Sequence, residues 1–170
     1  AAPGFSSLPT AAETEQALLL GVKRSLKLGW CEIQNAGSVL AETELMRRLC
    51  GDGKIKLRIY NAAYGPGEPA AHLLAEGPIV NGCDHHFTNR TIKVVFDGSL
   101  GSRSAALLDP YSDAETSGFL TQKEGDLLPM FEEALRRGVQ VETHAIGDRA
   151  NRETLNIYED AFKKHPEKNG

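Results

Sequence analysis

The apolar positions of this chain recur at two different spacings, and the spacing switches repeatedly along the sequence. Apolar residues three and four positions apart are typical of a helix that buries one face, whereas apolar residues at every second position are typical of a strand. The helical spacing predicts helices over residues 11–28, 40–50, 121–137 and 149–164. The alternating spacing predicts strands over residues 30–35, 56–61, 92–97 and 139–144. Helices and strands that follow one another in this way predict an α/β fold, in which helices cover a parallel sheet.

Short polar signals mark where several of these elements begin and end. Thr10 and Glu13 have the spacing of a capping box, as do Thr121 and Glu124, so each pair predicts the first turn of a helix. Pro129 lies inside one predicted helix and removes a backbone donor there. Glycines that follow the helical patterns predict helix ends, and these are Gly29, Gly51 and Gly138.

Two parts of the chain fit neither spacing. Between residues 62 and 90, Gly and Pro residues interrupt any periodic pattern, and only residues 70–76 predict a short helix. Residues 98–120 predict a long irregular connection. Connections of this length are uncommon unless they serve a site, so this one becomes a candidate part of a functional region.

The two best-defined strand patterns carry polar residues that a strand does not need for folding. In residues 91–97 one face is apolar and the other carries Lys93, and in residues 139–144 one face carries Glu142 and His144. An open doubly wound sheet buries both faces under helices and disfavours this polarity, whereas a (β/α)8 barrel can line its interior with polar groups. The pattern therefore favours the barrel over the open sheet. In both folds, chemistry gathers at the C-terminal ends of the strands.

Lys93 and His144 are the strongest candidates for chemistry, and each has a structural alternative. His144 lies at a strand end just before a Gly-Asp turn, which favours a metal ligand or a general base. A helix cap or a core histidine bonded to a backbone carbonyl fits the same spacing. Lys93 as a buried amine is easily deprotonated and chemically usable, whereas its structural alternative is an interior ion pair with Glu142.

The segment 97–104 adds weaker candidates. Asp97 fits a residue that caps the loop or one that contacts a metal, and Arg103 fits a substrate-binding cation or a solvated side chain. The glycines of this segment permit a nucleotide-binding alternative, although the Lys-Ser/Thr ending of a P-loop and the spacing of a dinucleotide fingerprint are both absent. Asp148 is expected to cap the last helix.

Composition narrows the class of protein. The 170 residues carry a formal net charge of −4 and no basic stripe, which argues against nucleic acid as a partner. No apolar run approaches the roughly 20 residues that span a bilayer, and the first residues lack the pattern of an export signal. Three cysteines without a CxxC spacing predict reduced thiols in a cytoplasmic protein, with Cys31 and Cys50 as core residues.

Residues 93–113 and 141–161 together resemble the metal-dependent amidohydrolases of the YtcJ-like branch, which includes N-substituted formamide deformylases. The two segments read KVVFDGSLGSRSAALLDPYSD and VETHAIGDRANRETLNIYEDA, and a weaker similarity reaches back to residues 11–28. The resemblance implies a (β/α)8 barrel of the TIM type with one or two divalent metals, usually zinc. It also implies that Lys93, in carbamate form, and His144 are metal ligands.

The same resemblance implies a substrate pocket beside the loop, with Asp97, Ser99 and Arg103 as candidate pocket residues. The implied reaction is hydrolysis of a C–N bond in a small, non-peptide amide. In that reaction a metal-activated water attacks a carbonyl that the metal also polarises.

Several family features have no counterpart in this chain. The His-x-His pair of the first barrel strand, the histidine of the sixth strand and the aspartate of the last strand are absent, so the general base is expected outside these residues. Gln34 stands where relatives often carry an aspartate. Glu142 stands where relatives tend to have a small residue, and there it would compete for Lys93.

The resemblance therefore implies that residues 1–170 are one partial barrel domain, an internal fragment with about strands two to five and their helices. Two open strand edges and an uncovered inner face predict a homo-oligomer, or pairing with the missing half of the barrel. Two alternatives remain. One is a catalytically silent, self-associating α/β fragment, and the other is a nucleotide-binding α/β domain.

Overall fold

The computed structural model describes residues 9–168, which form one sheet with helices packed along it. The helices are α1 (Ala11–Lys27), α2 (Leu40–Gly51), α3 (Glu68–Glu76), the single turn α4 (Gly82–His85), α5 (Glu124–Arg137) and α6 (Asp148–Lys164). The strands are β1 (Glu32–Ser38), β2 (Arg58–Gly65), β3 (Ile79–Asn81), β4 (Phe87–Val95) and β5 (Gln140–His144). A 3-10 turn, Pro166–Lys168, follows α6. None of the helices within residues 9–168 combines the length and the apolar character needed to cross a membrane.

The order of the strands identifies the architecture. The four longer strands run parallel in the order β1, β2, β4, β5, and β3 adds one antiparallel pairing to β4, between Ile79 and Asn89. Each parallel neighbour is thus the next long strand along the chain. A doubly wound sheet needs a point where the strand order reverses, and the described strands contain no such reversal. The predicted α/β fold with a partial (β/α)8 barrel is therefore confirmed.

Curvature of the sheet supports the same conclusion. Gln34 on β1 donates from Nε2 to Oε2 of Glu142 on β5 at 2.6 Å, although β2 and β4 lie between these strands. In a flat sheet three strand spacings would hold β1 and β5 about 14 Å apart. Direct contact between side chains of the first and last parallel strands requires the sheet to curl towards a barrel, with these side chains on its inner face.

The outward face of the sheet forms the core. One buried cluster joins β4 with α5 and α6 and includes Ile92, Phe131 and Ile157. A second cluster joins α1 and α2 with β2 and includes Val22 and Leu49. Burying each large apolar side chain stabilises the fold by about 1.5–3 kcal/mol relative to leaving it exposed. The helices are thus held on one side, which leaves the inner face to polar residues.

The two predicted capping boxes have different outcomes. At the first, the Glu13 N–H donates to Thr10 Oγ1 at 3.3 Å and Glu13 Oε2 accepts from the Thr10 N–H at 2.7 Å, as predicted. The second prediction is wrong, because the helix after Thr121 begins only at Glu124. Thr121 instead donates its hydroxyl to the carbonyl of Val95 at 2.5 Å, which ties the long loop to the end of β4.

Strands β2 and β4 extend beyond the apolar patterns that predicted them. Asn61 donates to Asn89 at 3.0 Å and accepts from Asn35 at 2.8 Å. It also donates to the hydroxyls of Ser38 and Thr43, at 3.0 and 3.2 Å. These five side chains, here called the amide ladder, satisfy one another on the outward face. The strands therefore continue to pair where the apolar alternation stops.

The cysteines follow the sequence prediction only in part. Cys50 is buried, as predicted, and burial raises the pKa of its thiol to about 12. Cys31 is exposed, so the prediction that it belongs to the core is wrong. The reason is local, since β1 begins only at Glu32 and Cys31 lies in the irregular connection before it. Cys50 remains a thiol at physiological pH because its neutral form is the one that burial favours.

Candidate functional site

The register between β4 and β5 determines which side chains share the inner face. Lys93 is paired with Glu142, and Val95 is paired with His144. Paired residues of parallel strands project to the same side, and so do residues two positions apart on one strand. Lys93, Glu142 and His144 therefore lie on one face in two adjacent rows, opposite the apolar core.

His144 has one ring nitrogen committed to the protein. Its Nε2 lies 3.0 Å from the carbonyl oxygen of Gly98 and 3.5 Å from Oδ1 of Asp97, and about a third of the side chain is exposed. A carbonyl only accepts, so Nε2 donates to Gly98. In the neutral ring Nδ1 is then the nitrogen with a free lone pair.

Lys93 and Glu142 do not form the ion pair that was the structural alternative for Lys93. Among the described residues, no carboxylate lies within 4.0 Å of the Lys93 amine. Oε2 of Glu142 instead accepts from Gln34, and Oε1 is buried and has no hydrogen-bond partner among residues 9–168. Within this described part of the chain, the inner face thus holds an amine without an ion-pair partner and a carboxylate oxygen without a donor.

The donor atoms on this face suit a divalent metal ion. They comprise the imidazole Nδ1 of His144, the amine of Lys93 and the orphaned Oε1 of Glu142. Imidazole nitrogen and carboxylate oxygen are both zinc ligands. A metal-ligating histidine also characteristically donates its other ring N–H to a carbonyl or carboxylate, as His144 does to Gly98. The residues present therefore fit such an ion, and the metal roles of Lys93 and His144 stay predictions.

Asp97 clamps three segments together directly beside His144. Its buried carboxylate accepts from the backbone amides of Ala106 at 2.9 Å, Ile146 at 2.9 Å and Gly147 at 2.8 Å. These contacts join the end of β4 to the long loop and to the turn between β5 and α6. They are the contacts expected of the loop-capping alternative for Asp97.

The turn after β5 is held by close backbone packing. A Cβ at Gly147 would lie 1.9 Å from the carbonyl oxygen of Ala106, so only glycine fits there. The prediction that Asp148 caps α6 is wrong, because the N-cap is Gly147 and Asp148 is already the first helical residue. Oδ1 of Asp148 instead accepts from the Leu108 N–H at 2.9 Å, which pins the loop to the start of the helix.

Ser99 and Arg103 contact other residues of the same loop. Oγ of Ser99 lies 2.9 Å from Oγ of Ser102. Arg103 adopts the left-handed conformation (φ 54°) and pairs with both carboxylate oxygens of Asp113, at 3.1 and 2.6 Å. The hydrogen bond between them raises the pKa of Arg103 and lowers the pKa of Asp113. Substrate-pocket roles for Asp97, Ser99 and Arg103 stay predictions.

Sequence reasoning missed the polar floor of this face. Thr91 donates to the Tyr60 hydroxyl at 3.1 Å, and Tyr60 in turn hydrogen bonds to the Gln140 side chain. These groups, with Gln34 and Glu142, line an open cavity of about 570 Å³. Alternation along the strands already separates Gln34 and Tyr60 from their apolar neighbours, but alternation alone does not show that these two side chains line one cavity with Glu142.

The nucleotide-binding alternative loses its structural basis. A phosphate loop needs glycines that lead directly into a helix N-terminus. Residues 98–104 are followed by a further irregular stretch, and the next helix begins only at Glu124. The amide of Gly98 already donates to the Ser104 carbonyl, and the amide of Ser99 donates to the Ser104 hydroxyl.

A second group of potential ligands lies on the outer surface. Ligand atoms of Glu44, His72 and Glu76 come within 4.8 Å of one another. Arg47 already contacts both carboxylates, at 3.8 Å for Glu44 and 3.5 Å for Glu76. These exposed groups are accounted for as a surface ion-pair network.

Comparison with known proteins places this geometry in a family. The model of the amidohydrolase family matches residues 5–170. The YtcJ protein of Bacillus subtilis, named as an amidohydrolase, is 32% identical over 130 residues, which are 71% of this chain and 24% of that protein. The exoenzymes regulatory protein AepA of Pectobacterium carotovorum is 29% identical over 175 residues, which cover 96% of this chain and 35% of that protein.

Two solved structures share the fold. An uncharacterized metal-dependent hydrolase from Pyrococcus horikoshii superposes with a TM-score of 0.80 at 25% identity, over 91% of this chain and 32% of that chain. Another from Pyrococcus furiosus superposes with a TM-score of 0.76 at 24% identity, over 92% of this chain and 33% of that chain.

This chain therefore spans about a quarter to a third of the length of these proteins. The family match nevertheless covers nearly all of its residues, and the strand order fits the fold of the metal-dependent hydrolase structures. The chain belongs to the amidohydrolase family.

Proposed function

We propose that this chain supplies part of the active site of a metal-dependent hydrolase that cleaves C–N bonds in small, non-peptide amides. Membership of the amidohydrolase family and the metal-dependent hydrolases of the same fold support this proposal. The observation that carries it is the commitment of His144 Nε2 to the Gly98 carbonyl, on the face that also holds Lys93. That arrangement leaves Nδ1 as a ligand nitrogen.

Lys93 and His144 are the proposed metal ligands, and zinc is the proposed metal. A divalent ion held by these two residues would lower the pKa of a water molecule towards neutrality and polarise a substrate carbonyl. Lys93 binds as a neutral amine or as a carbamate, and both forms need the amine free of a protein ion pair. The absence of a carboxylate within 4.0 Å of the Lys93 amine among residues 9–168 supports either form.

Other residues of this chain hold the proposed metal ligands in place. The Asp97 clamp fixes the backbone around Gly98, and Gly98 fixes the ring of His144. Ser99 and Arg103 lie on the loop that follows, and we assign them to the edge of the substrate pocket. N-substituted formamides are the first substrates to test.

Residues 1–170 are proposed to be insufficient for turnover. A catalytic zinc site takes three protein ligands and one open position, and the reaction also needs a general base. We assign the general base to a part of the natural protein outside this sequence. A cytoplasmic location completes the proposal, since an exposed thiol such as Cys31 stays reduced there.

The isolated 170-residue chain has a second proposed behaviour, self-association without activity. Strands β1 and β5 each have one side without a strand partner in the described sheet. On the inner face, Tyr64 of β2 and Val95 of β4 are 44% and 42% exposed. Unpaired strand edges pair readily with a second copy. Light scattering of this chain tests the idea, and a monomer at micromolar concentration would refute it.

The decisive experiment measures metal content and activity in the natural full-length protein. Lys93→Ala and His144→Ala are each expected to lose bound metal and to lower kcat/KM on an amide panel at least about a hundredfold. His165→Ala is the matched control, because His165 lies after α6 with its ring 3.4 Å from Glu167. If both site variants kept full metal content and activity, the proposed function would be wrong.

A further inference from the structure

Glu142 has an oxygen that the described chain leaves without a partner. Oε2 accepts from Gln34 at 2.6 Å, whereas Oε1 is buried and has no hydrogen-bond donor among residues 9–168. A carboxylate oxygen removed from water without a compensating donor is destabilising, and an unpaired one in a native protein calls for a bound ion, a water or a functional role.

The side chains beside Glu142 indicate which kind of group would satisfy Oε1. In the register of β4 and β5, Glu142 lies directly beside Lys93, and His144 lies one row further along the same face. Both neighbours carry nitrogen donors, and neither hydrogen bonds to Glu142. A divalent cation would satisfy Oε1 and could also take the nitrogen donors of both neighbours, which lie on the same face.

Gln34 fixes where the carboxylate can go. Its amide spans the inside of the curled sheet from β1 and binds only one of the two oxygens. A carboxylate held through one oxygen keeps its second oxygen in a defined place. Gln34 thus acts as a positioning residue for Glu142.

We propose that Glu142 is a carboxylate ligand of the cation held by Lys93 and His144, with Gln34 as its positioning residue. The inference rests on the proposed function, because it concerns the same cation. It assigns the anionic ligand of the site to a genetically encoded side chain. A carbamate would form instead when the Lys93 amine attacks CO2, which makes an N–C bond and releases a proton. With Glu142 in place, metal binding does not require that reaction.

Zn²⁺ affinity of the natural full-length protein, freed of metal, tests the inference by titration calorimetry. Glu142→Gln is expected to weaken Zn²⁺ binding at least tenfold, and Gln34→Ala a few-fold. Glu32→Gln is the matched control, since Glu32 lines the same cavity but pairs with Arg58 at 3.3 Å. It should bind Zn²⁺ like the natural protein. Unchanged binding by E142Q, together with loss of binding by His144→Ala, would overturn this inference and leave the proposed function intact.

A second measurement does not depend on any variant's folding. Zn²⁺ affinity of the unmodified protein is compared in CO2-free buffer and in buffer with added bicarbonate. Equal affinities are expected, because Glu142 needs no covalent modification. Affinity that falls tenfold without CO2 would assign the anionic ligand to a carbamate on Lys93 and overturn the inference. Unchanged binding by both H144A and E142Q would overturn the proposed function as well.

Discussion

Two sets of polar side chains lie on opposite faces of the same sheet, and they differ in how completely their hydrogen bonds are satisfied. On the outward face, every member of the amide ladder has a partner within the ladder, and Asn61 alone contacts the other four. On the inner face of the described residues, Glu142 keeps one buried oxygen without a donor, and the adjacent Lys93 forms no ion pair within 4.0 Å.

The contrast distinguishes polar side chains that stabilise the fold from polar side chains that are available for chemistry. A buried polar network whose members all pair rigidifies the fold and fixes the register of the strands. An unpaired buried oxygen destabilises the protein unless a water, an ion or another ligand satisfies it. The inner face is thus the face on which to look for function, although both faces contain amides and hydroxyls in similar numbers.

Removing the Asp97 carboxylate should have the largest effect on stability. Asp97 lies at the end of the inner face, yet both of its carboxylate oxygens accept hydrogen bonds. In this respect it resembles the residues of the amide ladder. Asp97→Ala leaves three backbone amides without an acceptor and should lower the free energy of unfolding by about 4 kcal/mol. Urea denaturation measures the change. Asp109→Asn, an exposed position in the same loop, should change it by less than about 0.5 kcal/mol.

Breaking the amide ladder should lower the free energy of unfolding by a somewhat smaller amount. Asn61→Ala removes the acceptor of Asn35 and the donor of Asn89, while Ser38 and Thr43 keep their mutual hydrogen bond at 2.7 Å. We expect a loss of about 3 kcal/mol in urea denaturation, because the buried amide of Asn89 and the half-buried amide of Asn35 each lose a partner. The exposed Asn156→Ala serves as control and should be neutral or slightly stabilising. An Asn61→Ala protein as stable as the natural one would remove the distinction between the two faces.

Replacing the inner-face pair by apolar residues should lower the free energy of unfolding less than either of these changes. Gln34→Leu alone leaves both oxygens of Glu142 without a donor and should lower the free energy of unfolding by about 1–2 kcal/mol. Gln34→Leu together with Glu142→Leu removes the unpaired groups and should return stability to within about 1 kcal/mol of the natural protein. A double variant that loses as much stability as Asn61→Ala would show that the inner network is structural after all.

Much of the fold could be predicted because it depends on spacing. The apolar stripes of α1, α2, α5 and α6 predicted these helices, and Thr10 set the start of the first within a residue. The full lengths of β2 and β4 could not be predicted, since Asn61 and Asn89 are poor strand formers that pair only in the folded sheet. Thr121 had the local signal of a cap, but its hydroxyl is taken by Val95, which is distant in sequence.

The candidate site likewise has features that the sequence could predict and features that it could not. Alternation along two strands predicted that Lys93 and His144 would share a face, and the register places them so. The side-chain partners could not be predicted, because they come from strands far apart in sequence. Gln34 reaches Glu142 only when the sheet curls, and the Gly98 carbonyl reaches His144 only when Asp97 has folded the loop. Sequence alternation therefore gives the face of a residue, while curvature and loop closure give its contacts.

The smallest expected effect concerns Arg103, whose charge is already used by Asp113 at the edge of the proposed pocket. Hydrogen bonding to Arg103 lowers the pKa of Asp113 below its ordinary value of 3.8. Stabilisation of the loop by this pair is therefore present above that ordinary value and disappears as the pH falls through the lowered one. An NMR titration should find the lowered pKa, and Arg103→Gln should restore the ordinary one without a measurable change in global stability. If Arg103 binds an anionic substrate, adding that substrate draws the guanidinium away and moves the pKa of Asp113 upward. An Asp113 pKa that no substrate moves, in a fully active protein, would show that Arg103 only holds the loop, and would group it with the satisfied polar residues of the outward face.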